Sequence, residues 1–542
     1  MEKHELSDFS ALKVLVIDDQ TLVHQSLGNA LADFGVVNIK YAENAYYALR
    51  LCEQQQFHVV ICAFNVKSDK DGFHLLEEMK FKGYVTKRTV LIFLSADTAE
   101  TVVNSIIELQ PDDFWVKPIS PGYIQNRLTH ILDVKQTLYN LYCAFDHKQF
   151  SKVIYYADRH LLDTSLAKYH ANLQRMKGEA LLALREFNAA QTFFQDLLKQ
   201  YKYSWVYLGY VKSLLKQHKL AEITDLLKTL QDKLETRFAT YDLLAQYYIE
   251  QQDYRLAYQE IKKAVKLAPR NIDRNKKLWD LARLNQDHEG QYLATQAMAK
   301  YAKNSIHDSP QLSLNVIRAG IDFASTLPNE HSAKIVKQTE KYLTELEQSP
   351  HAVSELREQL IIAKARLYNV RDQRELAERL VDGHVSVRPT ACLEDNLDKV
   401  KVFHELSQRE EALVLLSAVQ QQIATDGLTG QVVSRFIEKE LETRSEIHFT
   451  AKQLNQMAVE HFNRSRYDAA IMALEQALAL TPNSARVLIS ILKVLVASQR
   501  KSVLDIEHQL LAEQTVKALG AMKLTNKQEE TYTALCEELG SQ

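Results

Sequence analysis

Proline and glycine are both sparse, at 9 and 14 residues in a chain of 542. These residues make the turns of sheet-rich proteins, so their scarcity argues for a chain built mainly of helices. Cysteine is sparse too. Cys52, Cys62, Cys143, Cys392 and Cys536 contain no CxxC pair, which excludes a disulfide framework and zinc-finger spacing and agrees with a reducing cytoplasm. An excess of one charge is missing: 66 Lys and Arg stand against 69 Asp and Glu, mixed along the chain. That leaves no electrostatic footprint for nucleic acid or an anionic membrane. No run of about 18 uncharged apolar residues offers a membrane span, and residues 1–20 lack the apolar core of a signal peptide. Nor is there an HExxH motif, a GxSxG elbow or a glycine-rich phosphate loop, so the chain is expected not to be an enzyme.

What is present divides the chain in two. Its length calls for about two to four domains. Lys13–Ile17 is a short apolar run ending at Asp18-Asp19, as expected of a strand buried on both faces. The pattern predicts helices near 20–34, 44–55, 72–82, 98–109 and 121–137, and strands near 37–42, 58–64, 90–95 and 113–116. Five strands alternating with helices predict a doubly wound α/β domain over 10–134. In that fold, functional side chains gather at the carboxyl ends of the strands. Those ends carry Asp18 and Asp19, then Asn65, Ser95 and Lys117. Paired carboxylates suit a hard cation, and a hydroxyl and an ammonium suit phosphoryl oxygens.

This combination resembles the receiver domains of bacterial response regulators. The resemblance implies a flavodoxin-like or CheY-like fold. Asp18, Asp19 and the Asn65 backbone carbonyl would hold Mg²⁺, Ser95 and Lys117 would meet the phosphoryl group, and Ser95 and Phe114 would be the switch pair. Lys117-Pro118 matches the family's Lys-Pro. Ala63-Phe64-Asn65 aligns with the segment that carries the phosphorylated aspartate, so Ala63 occupies the acceptor position. A methyl group offers no nucleophile, and one of three acidic groups around the metal is gone, which weakens Mg²⁺. Two explanations stay open: a pseudo-receiver fixed in one state, or a competent receiver whose acceptor alone is replaced. Retention of the other pocket residues favours the second. The loop after Ala63 is one residue longer than usual and has Lys67 where proline is common; Asp69 and Asp71 are expected to be solvated loop residues.

Beyond about residue 135 the strand signal ends and a repeat emerges. Tyr241, Leu244, Ala245, Tyr248, Tyr254, Ala257, Ile261, Ala264 and Pro269 recur in spacing as Leu454, Met457, Ala458, His461, Tyr467, Ala470, Leu474, Ala477 and Pro482. Trp205, Leu208, Gly209 and Ala221 fit the first half, and Gly178, Leu181, Phe187, Ala190 and Phe194 the middle. Small residues let two helices approach where they cross, large ones fill between them, and proline ends the second helix. The pattern resembles the tetratricopeptide repeat and predicts an all-α solenoid with an extended protein-binding face. The expected division is 135–305 repeats, 306–450 divergent helical repeats or connector, and 451–542 a last repeat with capping helices. Breaks are expected at Ser309-Pro310, Pro328-Asn329, Pro350 and Arg388-Pro389.

Receiver plus repeats resembles VieB-like auxiliary regulators, which implies a cytoplasmic signalling adaptor. Its expected partners are a sensor histidine kinase or another response regulator at the receiver and a protein on the repeats, with no nucleic acid and no membrane; homo-oligomerisation is left open. The alternative is a phosphorylation-dependent transcription regulator, which lacks a basic helix-turn-helix unit in this sequence.

Overall fold

The computed structural model describes residues 9–540 except 67–69, 328, 372, 407, 423–427, 446–450, 483, 502, 503, 505, 523 and 525. The chain forms two compact units: Met1–Asn275 with Lys300–Asp308, and Lys276–Ala299 with Ser309–Gln542.

The first unit opens with the strands β1 (Lys13–Ile17), β2 (Asn38–Ala42), β3 (Val59–Ala63), β4 (Val90–Ser95) and β5 (Asp113–Val116). They form one parallel sheet in the order β2-β1-β3-β4-β5. Strands β3 and β4 are buried along their whole length, which explains their unbroken apolar sequence. The intervening helices are α1 (Thr21–Asp33), α2 (Ala45–Gln54), α3 (Gly72–Phe81), α4 (Glu100–Glu108) and α5 (Pro121–Thr137). One apolar layer unites Val14, Val16 and Ile61 with Leu128 and Ile131; the other unites Leu15, Ile17 and Val60 with Leu75 and Met79. The predicted elements are all present, with ends moved by one or two residues where a cap takes the terminal position. Asn44, for example, caps α2 by accepting the Tyr47 N–H at 2.8 Å.

After α5 the first unit is helical: α6 (Tyr139–Asp146), α7 (Phe150–Leu161), α8 (His170–Ala183), α9 (Phe187–Leu198), α10 (Ser204–Leu215), α11 (Thr224–Asp232), α12 (Leu234–Glu250) and α13 (Tyr254–Leu267). Next along the chain come α14 (Ile272–Leu284) and α15 (His288–Ala302), of which residues 276–299 belong to the second unit. A left-handed residue stands at one turn in each pair of helices: Lys148, Arg185, His218, Gln252 and Gln286, with φ between 55° and 62°. They recur at intervals of 37, 33, 34 and 34 residues. At Gln252 the turn closes through Gln252 N–H to Ile249 O (3.0 Å) and Asp253 N–H to Tyr248 O (2.9 Å), a Schellman pair repeated at Arg185 and His218.

The small residues sit where helices cross. A Cβ on Gly209 would lie 2.3 Å from the Phe194 ring, and one on Gly178 2.5 Å from it. Phe194 is buried, so its ring must shift within the core to admit a methyl group. Gly209→Ala is therefore expected to destabilise the unit by about 1–3 kcal/mol in chemical denaturation. Gly122→Ala, whose methyl would meet nothing within 4 Å, serves as the neutral control.

The second unit is helical as well, with α16 (Pro310–Thr326), α17 (Asn329–Glu347), α18 (Pro350–Glu355), α19 (Arg357–Val370), α20 (Arg374–Val381), α21 (Leu393–Glu405), α22 (Arg409–Gln422) and α23 (Leu428–Ser445). Pro310 and Pro350 open helices, and Arg388-Pro389 lies between α20 and α21, as expected from the breaks; Pro328 is outside the described residues. A buried ion network crosses this array. Arg318 meets Asp395 (2.7 Å) and Asp398 (3.2 Å), while Arg366 meets Asp398, Asp322 (both 2.7 Å) and Glu405 (2.8 Å). Last come α24 (Ala451–Asn463), α25 (Tyr467–Leu480), α26 (Ala485–Gln499), α27 (Ile506–Gly520) and α28 (Asn526–Gly540). Ala458, Ala470 and Leu474 share a core with Val487, Ile491 and Leu495, so the predicted last repeat packs on α26.

Candidate functional site

Strand register sets the pocket. Ile17 pairs with Cys62, Ala63 with Leu94, and Ser95 with Val116, so Asp18, Ala63, Ser95 and Lys117 end on one edge of the sheet. Asp18 is fully buried. Its Oδ2 accepts from Lys117 Nζ at 2.5 Å, and its Oδ1 accepts the Gln20 N–H at 3.0 Å. Asp19 Oδ1 is buried without a hydrogen-bond partner. The Ser95 hydroxyl is engaged locally: Oγ accepts the Asp97 N–H and donates to the Asp97 carbonyl, both at 3.0 Å. Phe114 is half-buried and stacks on Phe93, with centroids 6.4 Å apart and planes 15° apart. Lys117-Pro118 is a cis peptide. Asn65 is exposed on the loop after β3; Lys67 and Asp69 fall outside the described residues.

Ala63 is buried and brings only a methyl group to this edge. The neighbouring Cys62 is not poised as a nucleophile, because burial, with the charges of Asp18 and Asp71, pushes its thiol well above the ordinary range. The unpartnered Asp19 oxygen suits a hard cation, but the donor set holds two carboxylates, and one is already shared with Lys117. Among the described residues, no group of three or more His, Cys, Asp or Glu is arranged to hold a metal. Asp18 and Asp19 are thus the two carboxylates that this edge could offer a hard cation.

Asp71 corrects an expectation. It is not a solvated loop residue but the cap of α3, accepting the His74 N–H at 3.0 Å. The loop closes tightly here: Gly72 N–H donates to Phe64 O at 2.7 Å, and a Cβ on Gly72 would lie 1.8 Å from Ala63 O. Only glycine fits that approach. The other oxygen of Asp71 accepts from Arg270 Nη1 at 2.6 Å, and Arg270 follows α13 of the repeats. The Arg270 guanidinium lies 4.8 Å from the Phe64 centroid and 5.6 Å from that of Phe73. Burial alone would raise the Asp71 carboxyl, but the hydrogen bonds from His74 and the charges of His74 and Arg270 hold it at about 2. Its ionised form thus adds stability above about pH 4 that is lost as pH falls through about 2.

Helix α4 is held by the same stretch. Glu108 pairs with Arg274, Glu100 with Arg237 at 2.8 Å, and Asn104 Nδ2 donates to Leu267 O at 3.3 Å. His74 Nε2 lies 2.7 Å from Tyr301 O. On the opposite side, Asp146 of α6 accepts from Lys87 N–H (2.8 Å) and Arg88 Nε (2.9 Å). The α/β domain is thus held both by α6 and by the stretch from Arg237 to Tyr301. None of Arg270, Arg274, His74 or Glu108 was among the predicted site residues. Asp71 and Arg270 are 199 positions apart, and no local pattern marks either as one of a pair.

The response regulator receiver domain family matches residues 14–129. Those residues are a receiver domain. The tetratricopeptide repeat family matches residues 238–271, the α12–α13 pair. A probable chemotaxis protein CheY of Rhizobium etli is 28% identical over 109 residues, covering 20% of this chain and 83% of that protein. Among solved structures, chemotaxis response regulator CheY4 of Vibrio cholerae is 22% identical and covers 22% of this chain and 98% of its own, with a TM-score of 0.21. A CheY-like receiver domain protein from Methanospirillum hungatei is 23% identical, covering 23% and 98%, with a TM-score of 0.21. A receiver followed by tetratricopeptide repeats is the make-up of a two-component signalling protein with a protein-interaction module. No described helix is long and apolar enough to cross a membrane.

Proposed function

We propose that this chain is a cytoplasmic two-component regulator that acts by protein contact, with the receiver setting the state of the repeats. The observation that carries the reading is Arg270, which leaves a tetratricopeptide helix to rest on Phe64, the residue after the acceptor position, and to bond Asp71. Any change at the acceptor loop moves a group that the repeats hold directly. Helix α4, tied to Arg237, Leu267 and Arg274, offers a second path. In this reading a sensor histidine kinase or another response regulator meets the receiver (10–134), and a protein partner meets the helical array. That array comprises repeats over 135–305, divergent helices over 306–450, and a last repeat with its cap over 451–542.

Asp18, Asp19 and the Asn65 carbonyl would hold Mg²⁺, which when bound neutralises charge on phosphoryl oxygens. Lys117 and Ser95, at the ends of neighbouring strands, would meet those oxygens, and Phe114 would be the switch aromatic. With Ala63 no phosphoryl bond forms. The chain stays in the arrangement seen here, with Lys117 on Asp18 and Ser95 on Asp97. The protein then acts as a regulator held off, or as a sequestering partner, rather than as a catalyst.

The test compares the Ala63 protein with the Ala63→Asp variant in beryllium fluoride and Mg²⁺. Hydrogen exchange in α3, α4 and α13 is expected to rise as the repeats loosen, with a matching change in solution scattering. Identical exchange and scattering in the two forms overturn the reading.

A further inference from the structure

A small cavity lies within the second unit, lined from α14, α16, α21 and α23. Its volume is about 30 Å³, room for a water-sized group and far below the roughly 300 Å³ of a small-molecule site. Asp322, Glu394 and Asp398 line it beside Arg283 and Lys401, and Ala319 forms part of the wall. Glu394 and Lys401 keep 20% and 24% of their side chains exposed, so the cavity reaches solvent on their side.

The charges around this cavity do not cancel. Arg283 holds Glu394 and stands 3.6 Å from Asp280, while Arg318 holds Asp395 and Asp398. Arg366 holds Asp322, Asp398 and Glu405, and Lys401 holds Asp322. Among the described residues of this network, six carboxylates therefore share four cations. Burial holds the nearby His288 below its ordinary range, so at pH 7 it adds no charge. Lys276, which also acts on Asp280, is exposed to solvent.

Asp280 marks the shortfall. It is 3% exposed, and its Oδ2 is buried without a hydrogen-bond partner. Burial pushes its carboxyl up to about 7, although Arg283 pulls the other way. Even with Asp280 protonated, the network's carboxylates outnumber its cations. Buried carboxylates without a counter-charge are costly, and a further cation would relieve them. A metal ion fits poorly, since no three described His, Cys, Asp or Glu are grouped to hold one. A guanidinium is broad and planar, whereas a primary ammonium is compact and close to water in size. The space cannot also hold the carbon chain behind that ammonium, so the amine must be the tip of a larger molecule outside.

We infer that this cavity takes the ε-ammonium of a lysine on a protein partner, set among Asp322, Glu394 and Asp398. The inference rests on the reading that a protein meets the helical array, and it names what that protein presents. It does not depend on how the receiver acts.

Fluorescence anisotropy of a labelled hexalysine peptide with the full chain tests the site. Trimethylation of each ε-ammonium keeps the charge but enlarges the head, and should weaken binding about ten-fold. Ala319→Val adds bulk to the cavity wall and no charge, and should weaken hexalysine binding to a similar degree. Asp280→Asn removes a buried negative charge at nearly constant shape and should weaken it about five-fold; thermal melting shows that each variant is folded. Glu345→Gln, at an exposed carboxylate of α17, should leave binding unchanged. Equal affinity for the two peptides overturns the inference, as does hexalysine binding that neither Ala319→Val nor Asp280→Asn alters. A loss in Glu345→Gln as large as that in Asp280→Asn would show a diffuse attraction and also overturn it. Displacement of the peptide by K⁺ beyond that by choline at equal ionic strength would assign the cavity to an inorganic cation instead. If the lysine site fails while Ala63→Asp still changes exchange in the receiver, the switch reading stands without it; the opposite pair of results leaves the lysine site standing alone.

Discussion

Arg270→Ala is expected to weaken the hold of the repeats on the receiver by about 2 kcal/mol. The side chain does three things at once. It donates a charge-assisted hydrogen bond to Asp71, lies over the Phe64 ring, and lies near the Phe73 ring. A charge-assisted bond in a partly shielded site contributes about 1.5–3 kcal/mol, and each stacking about 0.5–1 kcal/mol. Exposed as they are (19% for Arg270 and 25% for Asp71), neither group is fully desolvated, so water regains part of the loss. Arg270→Lys separates the contributions, since lysine keeps the charge but not the planar face; its loss should fall between wild type and alanine. A double-mutant cycle with Asp71→Asn, read from chemical denaturation of the full chain, should give a coupling of about 1 kcal/mol or more. A coupling under about 0.3 kcal/mol would mean that the two residues act independently and that the contact is incidental.

The second large effect concerns the metal. Ala63→Asp should bind Mg²⁺ at least about ten-fold more tightly than the Ala63 protein in titration calorimetry, because a third carboxylate completes an oxygen set that now has two. Asp19 already presents a buried oxygen with no partner, whereas Asp18 divides its oxygens between Lys117 and the Gln20 amide. Asp19→Asn in the Ala63→Asp background should remove most of the gain. Equal Mg²⁺ affinity with alanine and with aspartate at position 63 would show that this edge is not a cation site in this chain.

The receiver was legible because its signals are local. Buried strands spell continuous apolar runs, and Asp18, Ser95 and Lys117 are strand-end residues whose convergence follows from parallel register. What those groups do to one another was not legible. The Lys117–Asp18 pair and the capture of the Ser95 hydroxyl by Asp97 depend on side-chain placement that no spacing encodes. In the repeats, Gly209 and Ala257 revealed helix crossings, but the turns did not show. They use Lys148, Arg185, His218 and Gln252 in a left-handed conformation where glycine would have announced it. Asp71 was misjudged for a related reason: a capping aspartate and a solvated one look alike until the residue it holds, here Arg270, is known.

The ion network of the second unit bears on how a partner can use that surface. Arg318 and Arg366, with the carboxylates they hold, tie α16, α19 and α21 into one ion-paired block. Pulling any one helix away would strand a bare charge in a medium that solvates it poorly. Such a block resists peeling and local fraying. A ligand that reads it meets a fixed template and must itself supply the adaptation.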